Sequence, residues 1–456
     1  MLEVRNPYNQ ELIRALEEPT PADLDAALTA AEAAFAETRR LPSYKRSAIL
    51  VRLGDRLSAE RERFARLVSA EVGKPIKEAR AEVGRALITL TTAAEEAKRI
   101  GGELLPLDVA EIGERRLGIT RRFPIGPVGA ITPFNFPLNL VAHKLAPAIA
   151  AGNPVVLKPS PRAPLTALAL AELAADCDLP AAALQVLPGG AEMAQAMAAD
   201  PRLKMVTFTG SAAVGWQLKA RAGKKKVTLE LGGNCGAVIH QDADLEYAAQ
   251  RVAVGGFTNA GQSCVSVQRV FVQRQVYDDF LGRLLPLVER LRLGDPAEES
   301  TDIGPMIDLA AAERAESWVR EAVQAGAQVL AGGRRQGVMF HPTVLAKTTP
   351  EMKVNCQEVF APVVTVTPYQ DFSDALRRVN DSPYGLQAGV FTGDNGRIFQ
   401  AFETIEAGGI MINDVPTYRV DHMPYGGAKD SGFGREGLRY AIEEMTELKI
   451  LVLNLR

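Results

Sequence analysis

Met205-Val-Thr-Phe-Thr-Gly-Ser211 decides the fold class. Five apolar and β-branched residues close on Gly-Ser, and a helical pattern starts at once near Ala212. A strand that feeds a helix through so short a turn is the repeating step of an α/β protein. The step recurs on both sides. Short apolar runs at Val128–Thr132, Pro154–Lys158 and Leu184–Leu187 precede it, and Val227–Leu231, Gly236–Ile239, Arg269–Val272, Gly389–Thr392 and Gly409–Ile412 follow. Helical patterns lie between them, among others Pro164–Asp176, Ala212–Ala222, Leu245–Asn259 and Asp308–Ala325. Largely parallel sheets are therefore expected, preceded by a nearly all-helical segment from Thr20 to Ile100. The sharpest change of composition falls at Gly232–Gly233, where one α/β block ends and a second begins. Two blocks imply a cleft between them, a favoured place for a ligand. The tail Met445–Arg456 alternates like a strand but has no turn to pair it locally; such a strand often completes another sheet, possible partners including another subunit.

The 456 residues correspond to roughly three domains of about 150 residues, or two large ones. Apolar residues make up 47% and charged residues 23%, a globular composition able to bury a large core. With 52 Lys and Arg against 55 Asp and Glu, the net charge of −3 removes any electrostatic case for wrapping nucleic acid or an anionic membrane. The uncharged run Phe123–Ala142 is long enough to suggest a membrane span, but Pro124, Pro127, Pro133 and Pro137 exclude a helix there. Cys177, Cys235, Cys264 and Cys356 lie far apart with no Cys-x-x-Cys pair, so neither a disulfide framework nor a metal site is expected, and a cytoplasmic location follows.

Certain residues stand where chemistry could occur. Cys264 follows a helix that runs through Gly261 into a loop of small residues, which leaves its thiol reachable; an intracellular cysteine is otherwise more often a small buried hydrophobe. Cys177, Cys235 and Cys356 fit that plainer reading. Glu230 ends an apolar strand before two glycines, a position that faces a cleft in many α/β sheets, although a capping or salt-bridged carboxylate would look the same. Burial there would raise its pKa and suit it to general-base work. Asn135, between Pro133 and Pro137, is either a turn residue or a rigid amide donor for an oxyanion. No Gly-x-Gly-x-x-Gly occurs, so the usual dinucleotide fingerprint is missing. The helix start after Gly210 and Ser211 could instead hold a pyrophosphate, and Lys158 ends a neighbouring strand within reach of a ribose or phosphate.

Seven motifs in order turn these separate readings into one. Pro133-Phe-Asn-Phe-Pro, Lys158-Pro-Ser, Phe208-Thr-Gly-Ser, Glu230-Leu-Gly-Gly, Gly261-Gln-Ser-Cys, Glu358-Val-Phe-Ala-Pro and Pro424-Tyr-Gly-Gly-x-x-x-Ser-Gly-x-Gly-Arg-Glu closely resemble the aldehyde dehydrogenase superfamily over essentially the whole chain. The resemblance implies an α/β fold with a Rossmann-type nucleotide-binding domain (1–105 and 124–232), an α/β catalytic domain (233–440) and a small β bridging element (106–123 and 441–456). It also implies a homodimer or homotetramer. Cys264 matches the family nucleophile, whose thiolate attacks an aldehyde to give a thiohemiacetal held by the Asn135 amide and the Cys264 N–H. Hydride transfer to nicotinamide leaves a thioester, which water activated by Glu230 hydrolyses. Glu358 matches the nicotinamide-ribose contact with Phe360 beside the ring, and Lys158 the adenine-ribose contact. Thr132, Pro133, Ser160, Gly210, Ser211 and Trp216 fall on the cofactor side as well.

Departures from the family pattern bear on specificity. Lys-Pro-Ser-Glu is the usual form; Pro161 stands here in place of the acid that would grip a ribose 2′-hydroxyl, with Arg162 adjacent. NAD and NADP are both admitted, and the balance tips to NADP. Ala361 replaces a common Gly and Asn234 a common Lys. The family's substrate tunnel corresponds to Phe136, Asn139, Leu140 and His143, then Ser263 and Val265, then Tyr418, Arg419 and His422, with Arg85 as a further contributor. Arg suits bidentate capture of a carboxylate or phosphate; the alternative is that Arg419 pairs with a structural carboxylate such as Asp421 or Asp414. The segment Asn413–Gly427 resembles lactaldehyde, phosphonoacetaldehyde and related small-aldehyde dehydrogenases. A short polar or anionic aldehyde is therefore expected. Glu230 argues against the coenzyme A-acylating branch, whose members commonly lack this carboxylate. An aromatic or aliphatic specialist walled by Phe136 and Tyr418 is a second alternative, and a non-catalytic structural relative a third.

Overall fold

The computed structural model describes residues 1–455. Thr20 to Ile100 is helical as expected, in four helices spanning Pro21–Thr38, Ser43–Ala59, Arg61–Val72 and Ile76–Glu96. The first begins with a reciprocal cap, in which the Thr20 side chain accepts from Asp23 N–H while the Asp23 carboxylate accepts from Thr20 N–H, and Pro21 occupies the first turn. A hairpin of Leu2–Arg5 and Leu12–Leu16 precedes them. The sequence analysis did not mark it, because its strands are only four and five residues long and most of their side chains face water.

The first sheet runs Leu184–Val186, Val155–Lys158, Val128–Ile131, Met205–Thr209, Lys226–Glu230 and Gly432–Phe433. The first five strands are parallel and the sixth is antiparallel. Strand order reverses at Val128–Ile131, whose Ile131 lies between Lys158 on one side and Phe208 on the other. In open α/β sheets the crevice beyond the carboxyl ends at such a reversal is where ligands bind. Thr132–Asn135 and Gly210–Ser211 leave the sheet at that point.

The second sheet has seven strands: Gln328–Ala331, Thr343–Ala346, Val363–Tyr369, Val267–Gln273, Cys235–Ile239, Gln387–Phe391 and Gly409–Ile412. All are parallel except the first. Only Leu231–Asn234 separate the end of the strand Lys226–Glu230 from the start of Cys235–Ile239. The carboxyl edge of the first sheet therefore continues into the amino edge of the second, and Cys264 precedes the strand Val267–Gln273 at that same amino edge. Separate apolar cores lie under the sheets, one around Phe64, Leu90 and Leu145 and the other around Phe257, Phe280 and Val364.

The C-terminal strand Thr446–Asn454 pairs within its own chain, antiparallel to Arg116–Pro124 from Thr446 opposite Pro124 to Asn454 opposite Arg116. Leu104–Pro106 forms the third strand of this sheet, so its ladder starts two residues ahead of Pro106. The chain also returns to the first block before its end: Gly432–Phe433 joins the first sheet, and Leu438, Ile442 and Met445 enter the first core. Among the described residues no helix is long and apolar enough to cross a membrane.

Candidate active site

A cavity of about 680 Å³ opens where the two sheets meet and is bordered by Asn135, Phe136, Gly210, Ser211, Cys264 and Glu358 among others. The loop that carries the thiol is unusual. The helix Leu245–Phe257 stops two residues short of its expected end, and Asn259, Ala260 and Gly261 take φ values of 53°, 52° and 66°. Three left-handed residues in a row reverse the chain tightly. Gly261 is required there, since a Cβ would lie 2.2 Å from the Ala361 carbonyl oxygen.

The Cys264 Sγ lies 3.3 Å from the Tyr425 hydroxyl. Burial pushes the thiol up to about 11; Tyr425 opposes that shift, while Glu358 and Glu230 add to it. Asn135 is buried, donates one amide N–H to the Gln262 carbonyl at 3.0 Å, and has no partner on its Oδ1. The amide is therefore fixed with a second N–H to spare. Glu230 is 3% exposed, and neither carboxyl oxygen has a hydrogen-bond partner. Burial first, then Glu436, raise its pKa well above the usual carboxylate range. It stands behind the cavity wall, close enough that its charge raises the pKa of both Cys264 and Tyr425.

Arg419 borders the cavity but is nearly enclosed. Its guanidinium lies 3.6 Å over the Tyr425 ring, 3.5 Å from Glu436 and 3.9 Å from Asp421. The pairing with Asp421 weighed from the sequence is present; Asp414 instead takes Arg251 at 2.6 Å. Arg85 borders the same cavity and holds Asp421 with both ends of its guanidinium, at 2.6 and 3.2 Å. Burial raises Asp421 and Glu436, but their cationic neighbours outweigh it. His143 and Arg85 hold Asp421 well below the usual range, and Lys144, His143 and Arg419 hold Glu436 at about 2. His143, expected in the tunnel, is buried against Asp421 at 2.8 Å, and burial lowers its pKa. Neither it nor Tyr418, 46% exposed, is among the residues bordering the cavity, and His422 faces solvent. Phe136, Asn139, Leu140, Ser263 and Val265 do border it.

The cofactor side divides similarly. Pro133, Gly210, Ser211, Glu358 and Phe360 border the cavity, whereas Thr132, Lys158, Ser160 and Trp216 do not. Ser211 caps the helix Ala212–Arg221 without a side-chain hydrogen bond, so the first amides of that helix are free for an anion. Gly210 has no room for a side chain, as a Cβ would meet the Phe208 ring at 2.4 Å. Glu358 accepts the Gly233 N–H at 2.9 Å; burial pushes its carboxyl up to about 7 against that bond and against Arg314. Phe360 meets Phe134 edge to face at 6.0 Å. The Lys158 ammonium donates to the Gly189 and Pro159 carbonyls, and burial lowers it to about 8. Arg162 pairs with Asp308 at 2.8 Å on the cavity border. These groups fit a dinucleotide laid from the helix N-terminus toward Cys264.

The aldehyde dehydrogenase family model matches residues 1–451. The chain belongs to the aldehyde dehydrogenase family. A 3-sulfolactaldehyde dehydrogenase of Priestia megaterium is 48% identical, covering 100% of this chain and 95% of that protein. A lactaldehyde dehydrogenase of Methanococcus aeolicus is 38% identical over 99% and 97% of the two chains. Aldehyde dehydrogenase 21 from Physcomitrella patens, solved with the reaction product succinate, superposes with a TM-score of 0.98 at 45% identity, covering 100% of this chain and 95% of that one. Glyceraldehyde-3-phosphate dehydrogenase from Methanocaldococcus jannaschii, complexed with NADP, gives 0.96 at 37% identity, covering 100% and 99%. This protein is an NAD(P)-dependent aldehyde dehydrogenase with the α/β fold of that family.

Several residues of this dehydrogenase's site escaped the sequence reading. Tyr425 and Glu436 sit inside the quoted Pro-Tyr-Gly-Gly motif, yet nothing local tells that one touches the thiol and the other balances Arg419 and Lys144. Lys74 is buried on the cavity wall, ion-paired with Glu82, its ammonium 3.8 Å from the centre of the Phe136 ring. Glu82 in turn accepts the N–H groups of Leu138 and Asn139 at the start of the helix Asn139–Ala151. No local pattern marks Lys74 or Glu82, because their contacts with Phe136, Leu138 and Asn139 come from another segment.

Proposed function

We propose that this dehydrogenase oxidises a short aldehyde carrying one anionic group to its carboxylic acid, with Cys264 as nucleophile and Glu230 as general base. The observation that carries the substrate reading is the pair of guanidiniums, Arg85 and Arg419, bordering the cavity that holds the thiol. The cations Arg85, Arg419 and Lys144 face the carboxylates Asp421 and Glu436. Arg419 Nε has no hydrogen-bond partner. The anionic groups of the sulfolactaldehyde and succinate named for the relatives support the reading.

The chemistry follows from the residues. The Cys264 thiolate attacks the aldehyde carbon, and the free Asn135 N–H receives the oxyanion of the thiohemiacetal. NAD(P)+, when bound, supplies the hydride acceptor that turns this adduct into a thioester. Glu230 takes a proton from the water that hydrolyses it. Glu358 is the ribose-binding carboxylate, and the amides after Ser211 take the pyrophosphate. NADP is accepted at least as well as NAD, because Pro161 offers no carboxylate against a 2′-phosphate and Arg162 is adjacent.

The nucleotide-binding, catalytic and bridging division outlined from sequence is kept as part of this reading. The enzyme is a homodimer or homotetramer in the cytoplasm: Thr446–Asn454 exposes Leu448, Ile450 and Val452 beside an unpaired edge, and Gly409–Ile412 ends the second sheet. The test is reduced-nucleotide formation across succinate semialdehyde, lactaldehyde, glyceraldehyde 3-phosphate, hexanal and benzaldehyde, with and without coenzyme A. Anionic members should win, and Arg85→Leu should lower their kcat/KM by about 10- to 100-fold, the worth of one charge-assisted hydrogen bond. A preference for hexanal or benzaldehyde, or turnover only with coenzyme A, would overturn it.

A further inference from the structure

Glu78 has no part in the chemistry above, yet it reaches the loop on which that chemistry depends. It lies in the first turn of the helix Ile76–Glu96, on the cavity border, and its Oε2 accepts the N–H of Asn259 at 2.8 Å. Asn259 is 3% exposed and opens the left-handed run through Ala260 and Gly261. Two of these three residues carry side chains, which adopt that conformation rarely and keep it only when their surroundings hold it. The other side-chain ties run within the loop and to two backbone carbonyls beside it. Asn259 Nδ2 donates to the Asn135 and Gln262 carbonyls, and Gln262 Nε2 donates back to the Asn259 carbonyl and to that of Pro305. The Glu78 carboxylate is the side chain that arrives from the first block and satisfies a buried backbone donor at the head of the turn.

We infer that Glu78 is a positioning residue that holds the cysteine loop in its left-handed form, and with it the alignment of Cys264, Tyr425 and Asn135. The link is short: Glu78 fixes Asn259, Asn259 bonds the carbonyls of Asn135 and Gln262, and Asn135 bonds the same Gln262 carbonyl. The thiol follows Gln262 by two residues. Releasing the turn frees the thiol from its buried setting while spoiling the geometry of attack, so reactivity toward a small reagent and toward substrate should move in opposite directions. Loss of a catalytic group would lower both.

The inference rests on Cys264 as nucleophile, and a Cys264→Ala control separates the two: if that variant keeps its burst, the nucleophile assignment fails and Glu78 is not at issue. In Glu78→Ala, the pre-steady-state burst of reduced nucleotide should slow about tenfold, while iodoacetamide alkylation of the cofactor-free enzyme quickens about tenfold. The dissociation constant for NADP+ should stay within about twofold, since Glu78 is distant in role from the cofactor groups. Glu78→Gln keeps an acceptor oxygen at the same reach and should hold both rates within about threefold of the parent. Rates in Glu78→Ala within about twofold of the parent would overturn the inference, as would a fall in both. So would a Glu78→Gln variant impaired by about tenfold or more, and that variant decides alone if Glu78→Ala does not fold.

Discussion

Replacing Tyr425 by Phe deletes one hydroxyl and keeps the ring under the Arg419 guanidinium, so it isolates the 3.3 Å contact with the Cys264 sulfur. Burial is the largest reason the thiol stands at about 11, and the Tyr425 bond is the largest opposing one. A hydrogen bond to a charged group is worth about 1.5–3 kcal/mol, which is about 1–2 pKa units. The sign is fixed by chemistry: the phenol donates to the thiolate, so its loss disfavours the ionised form and raises the thiol further. Each added unit reduces the thiolate fraction about tenfold below the midpoint, but the more basic thiolate is also about threefold more nucleophilic. The net loss is about 3- to 10-fold in the alkylation rate at fixed pH. The assay is iodoacetamide modification of the cofactor-free enzyme from roughly pH 7 to 10, where both proteins should show rates rising with pH and the variant's should lie lower throughout. Superposed lines, or a faster variant, would refute the reasoning and make Tyr425 a packing residue for Arg419.

Glu230→Gln should leave a burst of one reduced nucleotide per active subunit and slow steady turnover by about 10²–10⁴; loss of the burst itself would place Glu230 in acylation instead. In the parent, burial holds Glu230 protonated well above the ordinary carboxylate range, so hydrolysis should rise with pH as the carboxylate forms, a limb the Gln variant should lack. Gly232→Ala places a Cβ 2.5 Å from Glu358 Oε2. Displacing that carboxylate should raise KM for the nucleotide about tenfold while KM for the aldehyde stays within about twofold, and equal changes in both would count against Glu358 as the ribose contact. Arg162→Ala should weaken NADP+ relative to NAD+ by about tenfold in a binding titration, and an unchanged ratio would leave Arg162 as no more than the partner of Asp308.

The backbone of the site was legible in the sequence wherever a strand closes on small residues. Thr209-Gly-Ser, Glu230-Leu-Gly-Gly and Pro133-Phe-Asn-Phe-Pro each mark a chain leaving a sheet, and strand period and turn chemistry are local properties. The same locality explains why Cys264 and Glu358 could be named in advance, each within a motif of its own. The left-handed turn at Asn259 and Ala260 was not legible, since neither residue demands positive φ and the turn is held by contacts with Glu78, Asn135 and Pro305.

Charge balance is what only the tertiary structure decided. From sequence, Arg419 was weighed between an anion-binding group and a structural ion pair, with His143 and Tyr418 placed on the substrate wall beside it. Packing encloses Arg419 between Tyr425 and two carboxylates, buries His143 on Asp421 and turns Tyr418 to solvent, while it brings Arg85 to the wall from 336 positions away in the chain. The family resemblance grouped the tail with 106–123, but the register of Thr446–Asn454 on Arg116–Pro124 came only with the fold. A motif specifies which group a short stretch can present. Whether that group is free, paired or neutral depends on the field and burial supplied by residues hundreds of positions distant, and only the folded chain sets those.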